Sequence, residues 1–357
     1  MKSKVYFISA EAKEPAEALA EKAKKVYLAT GLNDLVAEGD YAALKIHFGE
    51  VGNTGYIKPQ WLTGLIWEIR KKTTHAFLTD SNTLYIGNRS NSIDHLRLAW
   101  SHGFTPETTG VPVIIADGLI GHDKREPRSP QARTASSKIA SGILDSDALI
   151  CLTHVTGHVQ TGLGAAIKNM GMGCASRAGK LDQHSVTHPR VNAKQCRNCG
   201  VCMAFCPEAA IVQAEGHVVI KPAKCIGCGE CLVVCKVGAI KMKWDEDSLR
   251  LQEKLAEYAW RVFTHFKGKA GFVNFLIQVT KDCDCMAKGQ KRIVDDIGIL
   301  ASLDPVAVDK ATADLIVERG AGKDPLRAGY DLDWSAQLAH GEKIGLGSTE
   351  YELVELS

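Results

Sequence analysis

The chain has 357 residues, 45% of them hydrophobic and 24% charged, with a formal net charge of +2. That is ordinary globular composition, long enough for one large domain plus a small one, and it excludes a global electrostatic pull toward nucleic acid or membrane. No apolar run approaches the ~18 residues needed to span a bilayer, and the N-terminus has no signal-peptide pattern, so the expectation is a cytoplasmic protein with no nucleic-acid or membrane partner.

Residues 1–185 read as alternating strands and helices. Strand signals fall at Val5–Ser9, Ala42–Phe48, Ala76–Thr79, Val113–Ala116 and Ala148–Thr153. Helical patterns lie between them at Pro15–Leu28, Pro59–Lys72, Asp94–Ser101 and Ser136–Leu144. This rhythm predicts an α/β fold with a mostly parallel sheet and helices on both faces. The apolar strand runs fit a sheet buried on both sides.

Several polar groups fall at predicted strand ends, where open α/β sheets place their sites. His154 and His158 flank a turn, and Gly162-Leu163-Gly164 leads into a helix carrying Lys168 and Asn169. A glycine-rich approach to a helix N-terminus can receive an anion. His47 and Glu50 end one further strand, and Asp80-Ser81-Asn82 another. The candidate catalytic residues are therefore His154, His158, Lys168, Asn169 and His47, with an anionic small molecule as the substrate class. The glycines match neither a dinucleotide fingerprint nor a P-loop.

Eight of the twelve cysteines fall within residues 196–235. Cys196, Cys199, Cys202 and Cys206 follow the C-x2-C-x2-C-x3-C-P spacing of bacterial ferredoxins, and Cys225, Cys228, Cys231 and Cys235 repeat it 29 residues on. Ala210-Ile211 recurs as Ala239-Ile240 at the same offset, so the segment is an internal duplication. In such runs the fourth cysteine serves the other cluster. The expectation is two [4Fe–4S] clusters, one on Cys196, Cys199, Cys202 and Cys235, the other on Cys225, Cys228, Cys231 and Cys206. Structural zinc sites pair their cysteines and fit these triplets poorly. Residues 190–243 thus read as an α+β ferredoxin-like module inserted between two parts of the α/β domain, 1–185 and 245–357.

Beyond the module, Asp245–Phe266 has helical spacing, strands are expected at Phe272–Thr280 and Ile297–Ala301, and Asp304-Pro305 opens a helix reaching Glu318. Cys283 and Cys285, in Asp282-Cys283-Asp284-Cys285, could ligate a further metal or form a redox pair. His184, ahead of the cysteine-rich segment, is another candidate.

The stretches His47–Glu50, Thr79–Tyr85, Ile167–Gly173 and Asp296–Ala307 resemble a family of uncharacterised iron–sulfur centre proteins built on a domain of unknown function. The resemblance covers nearly the whole chain. It implies an α/β domain holding a two-cluster insert and supplies no reaction. A fainter similarity is to lactate racemases, which have a His, a Lys ten residues on and a His sixteen further; His158, Lys168 and His184 show that spacing. In that family the Lys carries a nickel-pincer cofactor and the last His binds nickel. What the similarity implies here is a shared site geometry, not the nickel group.

The resulting expectation is an iron–sulfur oxidoreductase that accepts electrons from a partner such as a ferredoxin or flavodoxin. The alternative is a non-catalytic electron carrier or docking protein.

Overall fold

The computed structural model describes residues 2–11, 13–127, 137–184, 188–225, 227, 229–241, 247–287 and 291–357. Eight segments form one sheet: β1 (Ser3–Ser9), β2 (Ala42–Lys45), β3 (Ala76–Asp80), β4 (Val113–Ile115), β5 (Ala148–His154), β6 (Ala270–Leu276), β7 (Gly298–Ser302) and β8 (Tyr351–Glu355). Their order across the sheet is β8–β1–β7–β6–β5–β2–β3–β4. Only β7 opposes its neighbours, β1 and β6; the other strands run in one sense. The mostly parallel α/β expectation is met. Strands from both sides of the cysteine-rich segment share this sheet. β6 lies against β5, from Ala270 opposite Leu149 to Phe275 opposite His154, and β7 and β8 flank β1.

Alternate residues along each strand enter opposite cores, as the pleat requires. Leu44, Ile150, Leu152, Val273 and Phe275 face one side. There they pack on α1 (Ala16–Ala29) through Leu19, Ala23 and Val26, and on α2 (Thr63–Lys72) through Leu65 and Ile69. Ala43, Leu149, Cys151, Phe272 and Leu300 face the other. That side is covered by α4 (Ala166–Gly171), α6 (Ser248–His265), α7 (Pro305–Arg319) and α8 (Ala336–Lys343). Between these layers in sequence lie α3 (Ser92–Ser101) and α5 (Arg177–His184). Each fully buried Leu, Ile, Val or Phe contributes roughly 1.5–3 kcal/mol, so the two-sided burial explains why the strands read as unbroken apolar runs.

The helix ends follow the chemistry of their first residues. Asp304 caps α7 by accepting from the N–H groups of Val306 and Ala307, with Pro305 in the first turn. Asp247 caps α6 through Arg250 N–H. Three boundaries differ from the sequence expectation. β2 stops at Lys45 rather than Phe48, because the chain turns there and Gly49 takes φ +83°. β6 stops at Leu276 rather than Thr280: Gln278 takes φ +56° and its N–H is drawn to the Asp296 carboxylate. The helix expected over 136–144 is a single turn at Ser141–Leu144, preceded by a short strand; residue 136 lies outside the described residues.

The cysteine-rich segment keeps its duplication in three dimensions. Short helices at Val201–Ala204 and Glu230–Val234 stand 29 residues apart. So do three pairs of left-handed residues: Asn198 and Gly227, Gly200 and Gly229, Ala209 and Gly238. Arg190–Val191 pairs with Ile240–Lys241, and Ile211–Gln213 with Val218–Ile220. Among the described residues no helix is long and apolar enough to cross a membrane.

Candidate functional site

β2 is the strand at which the winding reverses. The chain steps from β2 outward through β3 to β4, then returns to lay β5 on the other flank of β2. Such a switch point leaves a crevice beyond the carboxyl ends of the strands. A cavity of about 150 Å3 lies there. Lys45 and His47 come from the end of β2, Asp80 and Ser81 from β3, His154 from β5, and Cys283, Asp284 and Cys285 from the loop after β6. α4 adds Lys168 and Asn169, and α5 adds Lys180 and His184.

Charge is concentrated on the β2–β3 side. The buried Lys45 ammonium lies 3.0 Å from Asp80 Oδ1 and donates to Asn169 Oδ1 at 2.9 Å. Asn169 in turn donates to Thr153 Oγ1 at 3.0 Å, tying β2, β5 and α4 together. Arg89 is buried beside them, donating to Glu50 at 3.2 Å and to the Tyr85 hydroxyl at 2.6 Å. Burial would raise the Asp80 pKa; the surrounding Lys45, His95, His47 and Arg89 outweigh it and hold the carboxyl well below its usual range.

Hydrogen bonding fixes the state of three histidines. His154 faces Asp284 from Nδ1 at 2.9 Å and the Ile277 carbonyl from Nε2 at 2.9 Å. Both ring nitrogens meet acceptors, so both carry protons. Burial opposes that charge, but Asp284 overrides it and raises the pKa. His47 Nδ1 accepts the Gly49 N–H at 3.0 Å, and His158 Nδ1 accepts the Thr161 N–H at 3.2 Å. Those two rings are neutral with the proton on Nε2. Burial first, then nearby cations, lower both pKa values well below the usual histidine range. Burial, then Lys168 and Lys180, brings His184 down to about 3.

Two lysines complete the lining. Lys180 donates to the Ala175 carbonyl at 2.7 Å and to Ser81 Oγ. Among the described residues no hydrogen bond or ion pair holds the Lys168 ammonium. Burial lowers both amines to about 8.

The helix N-terminus expected to receive an anion is already occupied. Asp309, from α7, takes the N–H groups of Ala166 and Ile167 at 2.8 Å each, and Asn274 donates to it at 2.9 Å. The Gly162–Gly164 segment forms a hairpin with Thr156–His158 instead of a phosphate-type loop. Side-chain cations, not backbone N–H groups, supply the positive charge of this cavity. The hairpin also shapes the wall: a Cβ on Gly157 would stand 2.2 Å from the Lys281 carbonyl, so only glycine lets the 281–285 loop lie so close.

The cavity therefore gathers His47, His154, His158, Lys168, Asn169, His184, Cys283 and Cys285, all singled out in the sequence. Cys283 and Cys285 are joined as a disulfide, in which form neither offers a thiolate to a metal. Asp284 lies in the 282–285 loop singled out in the sequence; Lys45, Arg89 and Lys180 were missed as members of the lining.

The cysteines of the 196–235 segment fall into two groups. Cys196, Cys199, Cys202 and Cys235 line one small cavity; Cys206, Cys225 and Cys231 line another. Cys228 lies outside the described residues. Backbone N–H groups of Ala210 and Ala239 point at the sulfurs of Cys206 and Cys235, each at 3.2 Å. The second of these cavities, which Gly229 also lines, approaches the strand-end cavity through Leu84. Leu84 lines that cavity and also packs in the apolar cluster of Cys202, Cys231 and Leu181. A Cβ on Gly229 would stand 2.9 Å from Leu84 Cδ1. Buried Arg177 fixes the contact, donating to Glu230 at 2.7 Å and to the Thr83 carbonyl at 3.3 Å.

Comparison with known proteins adds a family. The lactate racemase apoprotein from Thermoanaerobacterium thermosaccharolyticum is 12% identical, with a TM-score of 0.43 over 87% of this chain and 57% of that one. A crystal structure of a Thermotoga maritima protein is 10% identical, with a TM-score of 0.39 over 83% of this chain and 58% of that one. This chain thus spans less than two thirds of either. A search of curated proteins gave no match. The profile of the family described as a domain of unknown function, DUF362, matches residues 42–314, from β2 into α7 and across the whole cavity lining, and the chain belongs to that family.

Proposed function

We propose that the protein is an iron–sulfur oxidoreductase that reduces an anionic small molecule in the cavity at the strand ends. The observation that carries this reading is Leu84, a side chain shared by the cavity wall and the apolar packing around the cysteines. Electron transfer weakens steeply with distance, and this contact leaves little protein between the two sites.

Two [4Fe–4S] clusters suit the donor set. Cys196, Cys199, Cys202 and Cys235 would hold one; Cys206, Cys225, Cys228 and Cys231 would hold the other. Among the described residues no three His, Cys, Asp or Glu converge closely enough for a single metal ion. A cubane sits between its ligands, so its sulfurs stand further apart than donors around one ion. The N–H groups aimed at Cys206 and Cys235 favour thiolates, as cluster ligation requires. When bound, the clusters supply one-electron transfer at low potential, from a partner of the ferredoxin or flavodoxin class.

The chain's own residues would do the rest. Lys168 is the cation left for an anionic group, with Arg89 and Lys45 adding positive potential. His154, kept charged by Asp284, adds to that potential, both its ring N–H groups being held by Asp284 and the Ile277 carbonyl. Anaerobic purification with iron and sulfide analysis and EPR tests the first half; about eight irons per chain are expected. A screen of small organic anions tests the second: one should reoxidise the reduced protein, and Lys168→Ala should abolish the effect. Zinc in place of iron, with no reducible EPR signal, would remove the basis of the proposal.

A further inference from the structure

Cys283 and Cys285 border the cavity and are disulfide-bonded, their Cα atoms 5.3 Å apart. The bond closes a loop of three residues. A cross-link stabilises mainly by restricting the unfolded chain, and the gain falls as the loop shortens, so this one is a weak staple. Nor does the loop depend on it for its path. Thr280 Oγ1 donates to the Asp282 carbonyl at 2.8 Å, Asn53 Nδ2 to the Met286 carbonyl at 3.2 Å, and the Gly157 N–H to the Thr280 carbonyl at 2.8 Å.

Its surroundings are those of a reacting group. Cys283 is buried and Cys285 half-buried. Asp284, between them, holds the proton-bearing Nδ1 of His154. Lys168 and the cationic lining share the same space. Leu84, against the cysteine-rich segment, borders the same cavity.

We propose that Cys283 and Cys285 are a redox-active pair that collects two electrons, delivered singly, and passes them together to the bound anion. This rests on the electron-transfer reading above and deepens it. In the charging step the S–S bond takes two electrons and two protons and opens to two thiols. A low-potential one-electron carrier is oxidised in two turns, and Lys168 supplies one proton at each turn, regaining it from water. In the discharging step the two thiols give two electrons and two protons to the acceptor, and the S–S bond re-forms. The substrate class is then a small anion that accepts two electrons and two protons. Pairing of electrons is what one-electron centres lack and a dithiol supplies.

The test uses the full chain, reconstituted anaerobically and reduced with photoreduced methyl viologen. One half of the sample is frozen for EPR. The other is quenched in acid, alkylated with iodoacetamide and digested with trypsin. The peptide beginning at Asp282 should carry two alkyl groups in the cluster-loaded protein, and about tenfold less of it should do so in Cys206→Ser/Cys225→Ser given the same reductant. A reductive titration should take up about two more electrons per chain than Cys283→Ser/Cys285→Ser. Clusters reduced by EPR with the peptide unlabelled, or equal labelling in the variant, would overturn the pair's role and leave the electron-transfer reading standing. A sample with no reducible cluster would overturn both.

Discussion

Replacing Lys45 by methionine keeps the side-chain length and removes its charge. Lys45 is 1% exposed, with its ammonium 3.0 Å from Asp80. At an effective dielectric of about 20, unit charges at that distance attract by roughly 5 kcal/mol, and removing one partner of a buried pair costs about 3–5 kcal/mol. Asp80 keeps Arg89 at 3.8 Å and His95 at 3.7 Å, which argues for the lower end, about 3 kcal/mol. With an unfolding entropy of about 2.1 cal/mol/K per residue over 357 residues, the melting temperature should fall by about 4 °C. Lys45→Met/Asp80→Leu, which removes both charges, should recover most of the loss. The pH dependence has a definite sign. The Asp80 pKa is lowered in the folded state, so its contribution is present above the unfolded carboxylate value of about 3.9 and is lost as pH falls through the folded one. Urea melts should therefore show the full gap between wild type and Lys45→Met at pH 7 and a narrower one below about pH 4. A loss under about 1 kcal/mol at pH 7, or a gap that does not narrow in acid, would refute the assignment of Lys45 and Asp80 as a buried charged pair.

Asp284→Asn removes the charge that keeps His154 protonated. A raised folded pKa contributes stability that is complete below about 6.5 and lost as pH rises through the folded value, so the variant should lose about 1.5–3 kcal/mol near pH 6 and progressively less in alkali, with the His154 titration shifted down by NMR. Lys168→Met should raise the melting temperature of the ligand-free protein at pH 7, because burial depresses this amine to about 8, and the gain should shrink as pH climbs toward the unfolded value of about 10.4. The same variant should weaken binding of any small anion about tenfold or more, read by isothermal calorimetry. Gly171→Ala would place a Cβ 2.3 Å from the Leu255 carbonyl, forcing α4 away from α6; a loss of about 1–3 kcal/mol in a urea melt is expected.

Much of this architecture is legible in the chain because the sheet is buried on both faces. Such strands cannot hide polar residues, so a change from apolar to polar marks a strand end, and His47, Asp80 and His154 all stand at such changes. Lys45 carried a signal that could have been read: a lysine closing the apolar run Ala42-Ala43-Leu44 must find a partner or be expelled. Arg89 carried none. It sits in Gly87-Asn88-Arg89-Ser90-Asn91, which reads as a solvated turn, and its burial depends on Glu50, 39 residues away. Asp309 was equally silent, since it meets the α4 N-terminus across 143 residues of chain. The disulfide partners were visible as a C-x-C pair, but their approach to Lys168 depends on the Gly157 contact, a feature of tertiary packing alone.

The proposed enzyme reading, against that of a carrier, draws on the charge balance of the cavity. Asp80 is matched by Lys45, Asp284 by the charged His154, and Arg89 by Glu50. Those groups could be structural, since each buried charge has its opposite. Lys180 has the buried Asp117 nearby as its counter-charge, and Lys168 is left over, held among the described residues by no hydrogen bond or ion pair. A buried cation without a counter-charge opposes folding, and the fold gains nothing from placing Lys168 beside the Lys45 ammonium. A docking protein recognises its partner on its surface, where positive charge is well solvated and steers the encounter. Positive charge drawn inward to a cavity, next to a proton-bearing histidine and a disulfide, suits a ligand small enough to enter and anionic enough to supply the missing charge.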